Sequence, residues 1–276
     1  MHNSNSQVDF EILISTMCRT DLEFLNQMFH ATDNYRNYNL LIINQTEEGE
    51  LLTSNEEKIR VINSFERGTG KSRNLAISKS KGRICLIADD DTTYVKDFKE
   101  TILKAYKEHR DVDFISFEAI DEYSNPYTKY PKLGYHSKTS LRSIYNWMIT
   151  FKRERLLKHN IYYNEFFGLN SVFRGEEYVF LREAFDKGLK VFHVPKVIVS
   201  HPYETSGKLQ GNDDVIFSRS AVKYRFIREV AYLWLFKYIF FLIRENYITI
   251  KEVPYKFSQG IKGIQKYKAL ESSEKI

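Results

Sequence analysis

Arg83-Ile84-Cys85-Leu86-Ile87-Ala88-Asp89-Asp90-Asp91 is the stretch on which the reading of the chain turns. Five consecutive apolar residues, Ile84 to Ala88, fit a short strand buried on both faces. Three carboxylates end it. Adjacent like charges raise one another's pKa and resist desolvation. A divalent cation removes that cost, since Mg²⁺ or Mn²⁺ takes hard oxygen ligands, usually one or two carboxylates plus substrate phosphates. In an open α/β sheet, ligands bind beyond the carboxyl ends of the strands, which is where these acids fall. The competing reading is a solvated acidic turn that caps a helix starting near Lys96, but capping asks for one Asp and not three.

Working outward, Phe10–Ser15, Leu40–Ile43 and Ile59–Ile62 are further apolar runs of strand length. Leu22, Leu25, Met28 and Phe29 repeat at helical spacing, Leu75 and Ile77 mark a short helix, and Phe98, Ile102, Leu103 and Tyr106 mark another. Phe114–Phe117 is one more strand. Strand and helix alternate as far as Asp121, which predicts a parallel sheet covered on both faces with right-handed crossovers. Beyond it, Asn125–Ser140 is loop-like and rich in Tyr, and its aromatics suit either sugar stacking or loop packing. Arg153–His159 suits a short basic helix, and Glu176–Lys187 a clearer one that stops at Gly188. Val191–Val194 and Val197–Val199 read as two short strands around Pro195. Phe226–Ile243 is the most apolar segment, but Arg228, Glu229 and Lys237 interrupt it. It suits a core helix or a helix lying in a membrane interface better than a span.

The chain has 276 residues, enough for one large domain with an appendage. Its two cysteines, Cys18 and Cys85, sit in or beside apolar runs and suit buried thiols in a reducing compartment. Met1–Gln7 is polar, so no secretory signal is expected. Of the net charge of +5, the part from Arg219 to Ile276 carries +7, with 12 Lys/Arg against 5 Asp/Glu. A near-neutral body with a basic tail points to an anionic surface as partner.

Gly68-Thr69-Gly70-Lys71-Ser72 looks like the end of a phosphate-binding P-loop, but Phe65 stands where that loop needs its first Gly. Lys71 and Arg73 still fall near a helix N-terminus, where charge and amide dipoles favour a diphosphate.

Arg73-Asn74-Leu75-Ala76-Ile77, then Gly82, then the strand ending in Asp89-Asp90-Asp91, resemble family 2 glycosyltransferases of the GT-A fold. Phe166-Phe167-Gly168 followed by Gly175-Glu176-Glu177 resembles that family's acceptor-side pattern, usually Gly-Glu-Asp. His201–Gly207 resembles the His-containing segment some members place after the last core strand. The resemblance covers roughly Phe10 to Gly207 and implies a GT-A-like, Rossmann-related α/β fold. It implies a mixed sheet with helices on both faces and a catalytic domain over residues 1–207; the basic, aromatic part over 208–276 is expected to be a helical C-terminal extension that packs in the core or associates with a membrane.

By this resemblance, Asp89 and Asp91 hold a divalent metal (Mn²⁺ or Mg²⁺); His201 suits a hydrogen-bonded structural histidine better than a further ligand, since a lone imidazole is weak evidence for a metal. Ser15, Thr16, Lys71, Arg73, Asp89 and Asp90 face the nucleotide-sugar donor. Asn44 takes the place of an Asp that contacts the nucleobase in many members. Glu177 takes the place of the catalytic base, commonly Asp, with Glu176 beside it. The competing reading of this Glu pair is that both are helix N-terminal acids favoured by the dipole. The implied activity is inverting transfer of a sugar, UDP-linked, to a hydroxyl of a glycan or lipid-linked acceptor. It requires charge neutralisation on the departing diphosphate, a base for the acceptor proton and in-line placement. The expected setting is bacterial surface-polysaccharide synthesis, in the cytoplasm or at the inner face of the plasma membrane. The rivals are a sugar nucleotidyltransferase and a nucleic-acid-binding protein. The basic excess is modest for the latter, and its phosphates would be repelled by the acid cluster.

Overall fold

The computed structural model describes residues 8–32, 34–203 and 210–273. The expectations for Met1–Gln7 and for Glu204–Gly207 lie outside them, as does the boundary between residues 207 and 208.

In chain order the first unit contains β1 (Val8–Met17), α1 (Phe24–Met28), β2 (Leu40–Gln45), β3 (Ile59–Ser64), α2 (Thr69–Lys79), β4 (Gly82–Asp89), β5 (Thr93–Tyr94), α3 (Phe98–Glu108), β6 (Phe114–Ile120), β7 (Gly134–Tyr135), β8 (Ile149–Lys152), α4 (Arg153–Lys158), α5 (Glu176–Asp186) and β9 (Val191–Ser200). The strands form one sheet in the order β3-β2-β1-β4-β8-β6-β9-β5, with β7 paired to β9. Strands β1 to β4 are mutually parallel, and β6 and β9 are parallel to each other.

Side chains alternate across a strand, and both faces are covered. Phe10, Ile12, Ile14, Leu40, Ile42, Ile84, Leu86 and Ala88 pack with Leu25 of α1 and with Phe98 and Ile102 of α3. Leu13, Leu41, Ile43, Cys85 and Ile87 pack on the other side with Ala76 and Ile77 of α2, Leu156 of α4 and Phe180 of α5. This double burial explains why the early strands read as unbroken apolar runs.

The sheet is mixed, not wholly parallel. Strand β8 runs antiparallel between β4 and β6, pairing Ile84 with Lys152 and Phe114 with Phe151. The Thr150 hydroxyl, fully buried in it, donates to the Ile115 carbonyl at 2.8 Å. The two short strands expected around Pro195 are one strand, β9. Its register against β6 shifts between Ser116 and Glu118, and an irregularity of this kind tolerates a residue with no N–H to donate.

At its amino edge the sheet is pinned by a buried acid. The Glu11 carboxylate accepts from the Lys81 and Gly82 amides at 2.5 and 2.9 Å and from Arg60 at 2.7 Å. A Cβ at Gly82 would meet the Glu11 Cβ at 2.6 Å.

The second unit joins residues 166–176 to the C-terminal helices. Its helices are α6 (Asp213–Ile227), α7 (Val230–Arg244) and α8 (Val253–Ser273). The apolar segment Phe226–Ile243 is not one helix. It breaks at Arg228, which has φ +49°. Helices α6 and α8 cross with their backbones close: a Cβ on Gly263 would overlap the Phe217 carbonyl, and one on Gly260 would press on Leu235 and Ser220. No helix among the described residues is long and apolar enough to cross a membrane.

Candidate active site

The parallel pairing of β1 with β4 sets Ser15 beside Asp89, and that of β1 with β2 sets Thr16 beside Asn44. The carboxyl ends of three strands therefore meet at one point, and the first turn of α2 closes on it. The Gly68 amide donates to Gln45 Oε1 at 2.7 Å, and the Ser72 and Ser15 hydroxyls bond at 2.9 Å. The Thr92 hydroxyl donates to the Asp89 carbonyl at 2.9 Å and closes the acidic turn.

The three carboxylates are kept apart by three different partners. Asp89 is bound by the buried Arg73 guanidinium at 2.7 Å. Asp90 accepts from the Thr16 hydroxyl at 2.5 Å and from Arg19 at 2.8 Å. Asp91 faces His201 Nε2 at 3.3 Å. The His201 Nδ1 donates to the Pro202 carbonyl at 2.7 Å, which leaves Nε2 to meet the carboxylate. Burial opposes charge on both groups. Hydrogen bonding to His201 still holds the Asp91 carboxyl below its ordinary pKa, and Asp91 raises that of His201.

An aromatic collar fixes that imidazole. Trp147 stacks on it with ring centroids 4.7 Å apart, and Tyr127 meets it edge-on at 5.6 Å. Tyr145 stacks on Trp147 in turn. The Tyr145 phenol is pushed up by burial and then by the negative charge of Glu177. At the start of α5, Glu177 is half-buried and Glu176 is buried.

Other expected residues have more local duties. Arg73 is buried and lies over the Tyr163 ring, so it positions Asp89 from below. Asn44 is fully buried. Its amide grips the Arg19 backbone at 3.1 and 2.9 Å and donates to Asn63 at 3.0 Å, so it shapes the loop after β1. Lys71 turns to Glu66 at 2.7 Å. Of the loop tyrosines, Tyr130 bonds the Ala119 backbone and Tyr135 bonds Asp111, so these two serve packing. Arg19 and Trp147 escaped the sequence reading. The one signal for Arg19 was its place just past the end of the first strand.

No group of three or more His, Cys, Asp or Glu among the described residues is arranged to hold a metal unaided, since Asp89 turns to Arg73. Asp91 and His201 nonetheless face each other as a hard oxygen and an imidazole, a pair that suits Mn²⁺ when a ligand's phosphates complete the shell.

A mixed α/β sheet that gathers partly exposed acids at the carboxyl ends of its parallel strands has the layout of the ligand-binding α/β class. The chain belongs to glycosyl transferase family 2, whose model matches residues 20–187. No curated protein matches it by sequence. Among solved structures it is similar to S. aureus TarS 1–349 in complex with UDP-GlcNAc, at TM-score 0.59 and 14% identity over 97% of this chain and 92% of that one. It is also similar to a second structure of S. aureus TarS 1–349 at TM-score 0.57 and 14% identity, over 97% of this chain and 91% of that one. Against a longer TarS chain the values are 0.56 and 12%, over 94% of this chain and 55% of that one. At such identities the likeness shows the fold, and the fold is GT-A-like.

Proposed function

We propose that the protein transfers a sugar, with inversion, from a UDP-linked donor to a hydroxyl of a glycan or lipid-linked acceptor in surface-polysaccharide synthesis, next to an anionic membrane. The observation that carries this reading is the convergence of Asp89, Asp90 and Asp91 at the carboxyl ends of β1, β2 and β4, with His201 facing Asp91. The complex of TarS with UDP-GlcNAc supports the donor class. Asp91 and His201, with Asp89 beside them, would hold Mn²⁺ or Mg²⁺ together with the donor diphosphate. Such an ion supplies neutralisation of the charge on the departing nucleoside diphosphate. Ser15, Thr16 and Arg19 line the donor side, at the first turn of α2, where amide dipoles favour a diphosphate. Glu177 takes the acceptor proton. The test is a panel of nucleotide sugars with Mn²⁺ or Mg²⁺, reading nucleoside diphosphate release. Release from UDP-sugars that stops with chelator is expected, and no release from any donor would overturn the proposal.

A further inference from the structure

Helix α7 buries only one of its faces. Ala231, Leu235, Tyr238, Ile239 and Leu242 point into the core of the helical unit. At 100° per residue, Val230, Leu233, Phe236, Lys237, Phe240 and Arg244 fall on the opposite arc, about 120° wide. Four of these are large and apolar and lie open, with Val230 57%, Leu233 71%, Phe236 61% and Phe240 66% exposed. Contiguous apolar surface of this kind on a helix marks a contact with something else.

We propose that this outward arc of α7 is the face by which the protein docks on an anionic phospholipid surface. A second copy of the chain is the rival occupant, and the composition argues against it. Lys237 lies within the apolar arc, whereas the buried centre of a protein interface is depleted of Lys. At a bilayer the same residue buries its stem among the apolar side chains and keeps its charge at headgroup level. The sign of the unit agrees, since residues 210–273 carry eleven Lys/Arg against six Asp/Glu. The inference deepens the membrane setting proposed above and is independent of the transfer chemistry.

The test uses the full chain and vesicles of phosphatidylcholine, with and without about a third phosphatidylglycerol. Wild-type protein is expected to co-sediment with the anionic vesicles, and less as salt rises. Leu233→Glu/Phe240→Glu should lose at least 10-fold in vesicle affinity, with an unchanged thermal midpoint because both side chains are exposed. Lys237→Glu should weaken only the anionic arm. Nucleoside diphosphate release without vesicles should be equal in all variants, which separates failure of this proposal from failure of the catalytic one. The proposal is overturned if the wild type ignores vesicles or if the double variant binds them as well. It is also overturned if sedimentation shows a dimer that only the double variant dissociates, for the face then belongs to a second copy.

Discussion

Glu176 and Glu177 adjoin at the start of α5, and neighbours on a helix leave it about 100° apart. Only one of them can face an acceptor. A base acts on the acceptor step and not on holding the donor. Glu177→Gln is therefore expected to leave UDP-sugar affinity within about twofold while transfer falls by roughly 10²–10⁴. Glu176→Gln is the control. If Glu176→Gln is the crippled variant and Glu177→Gln is active, the base is Glu176; if both stay active, the pair is only a helix-start acid cluster. At this scale the sequence was legible where local cost spoke. Three adjacent carboxylates call for partners wherever they are. The partners themselves were not legible, because Arg19, Thr16 and His201 reach Asp90 and Asp91 across 71, 74 and 110 positions of chain.

Elements were legible in proportion to how local their specification is. The early parallel strands announce themselves because burial on both faces demands unbroken apolar runs. Ile149–Lys152 carries no such mark, and its strand exists because β4 and β6 offer edges to it. The break between α6 and α7 was equally silent, since Arg228 turns the chain at φ +49° without Gly or Pro. Within β6 and β9, the Ser116 hydroxyl bridges His136 Nε2 at 2.8 Å and His193 Nδ1 at 3.0 Å, with Glu118 3.6 Å from His193 and Tyr130 stacked on it. Burial pushes both imidazoles down to about 4, and for His136 the charge of His193 adds to it. Between that value and 6.5 the unfolded chain binds protons that the folded one refuses. Stability is then full above pH 6.5 and falls on acidification, by up to about 1.4 kcal/mol per pH unit per histidine. Denaturant unfolding at pH 7 and pH 4.5 measures this, and His193→Gln should remove about half of the slope. A slope that is the same in the variant would assign the acid sensitivity to other groups. In the helical unit, Gly263→Ala forces α8 off the Phe217 carbonyl and is expected to cost about 1–3 kcal/mol. Calorimetry should show that loss, and a thermal midpoint equal to the wild type would mean the crossing has slack.

For the molecule as a whole, donor and cation are expected to stabilise the fold jointly. A ligand at 100 times its Kd adds about 2.7 kcal/mol of stability. For a chain of this size that raises Tm by several degrees, at roughly 2–4 °C per kcal/mol. Scanning calorimetry with UDP should show the rise with Mn²⁺ and little of it with chelator. Asp91→Ala should behave as the wild type does in chelator. Equal rises under both conditions would remove Asp91 and His201 from the role of cation ligands.

The Glu11 carboxylate sits at the amino edge of the sheet, about 23 Å along β4 from Asp89. It fixes which residue of β4 stands opposite which residue of β1. A slip of one position would turn every side chain of β4 to the opposite face, and Asp89 with them. Asp89's aim is thus inherited from a residue that never meets a ligand. A mutational scan scored only by sugar transfer would return Glu11 and Gly82 among its strongest hits. Read without the sheet, that scan would draw an active site twice its true size.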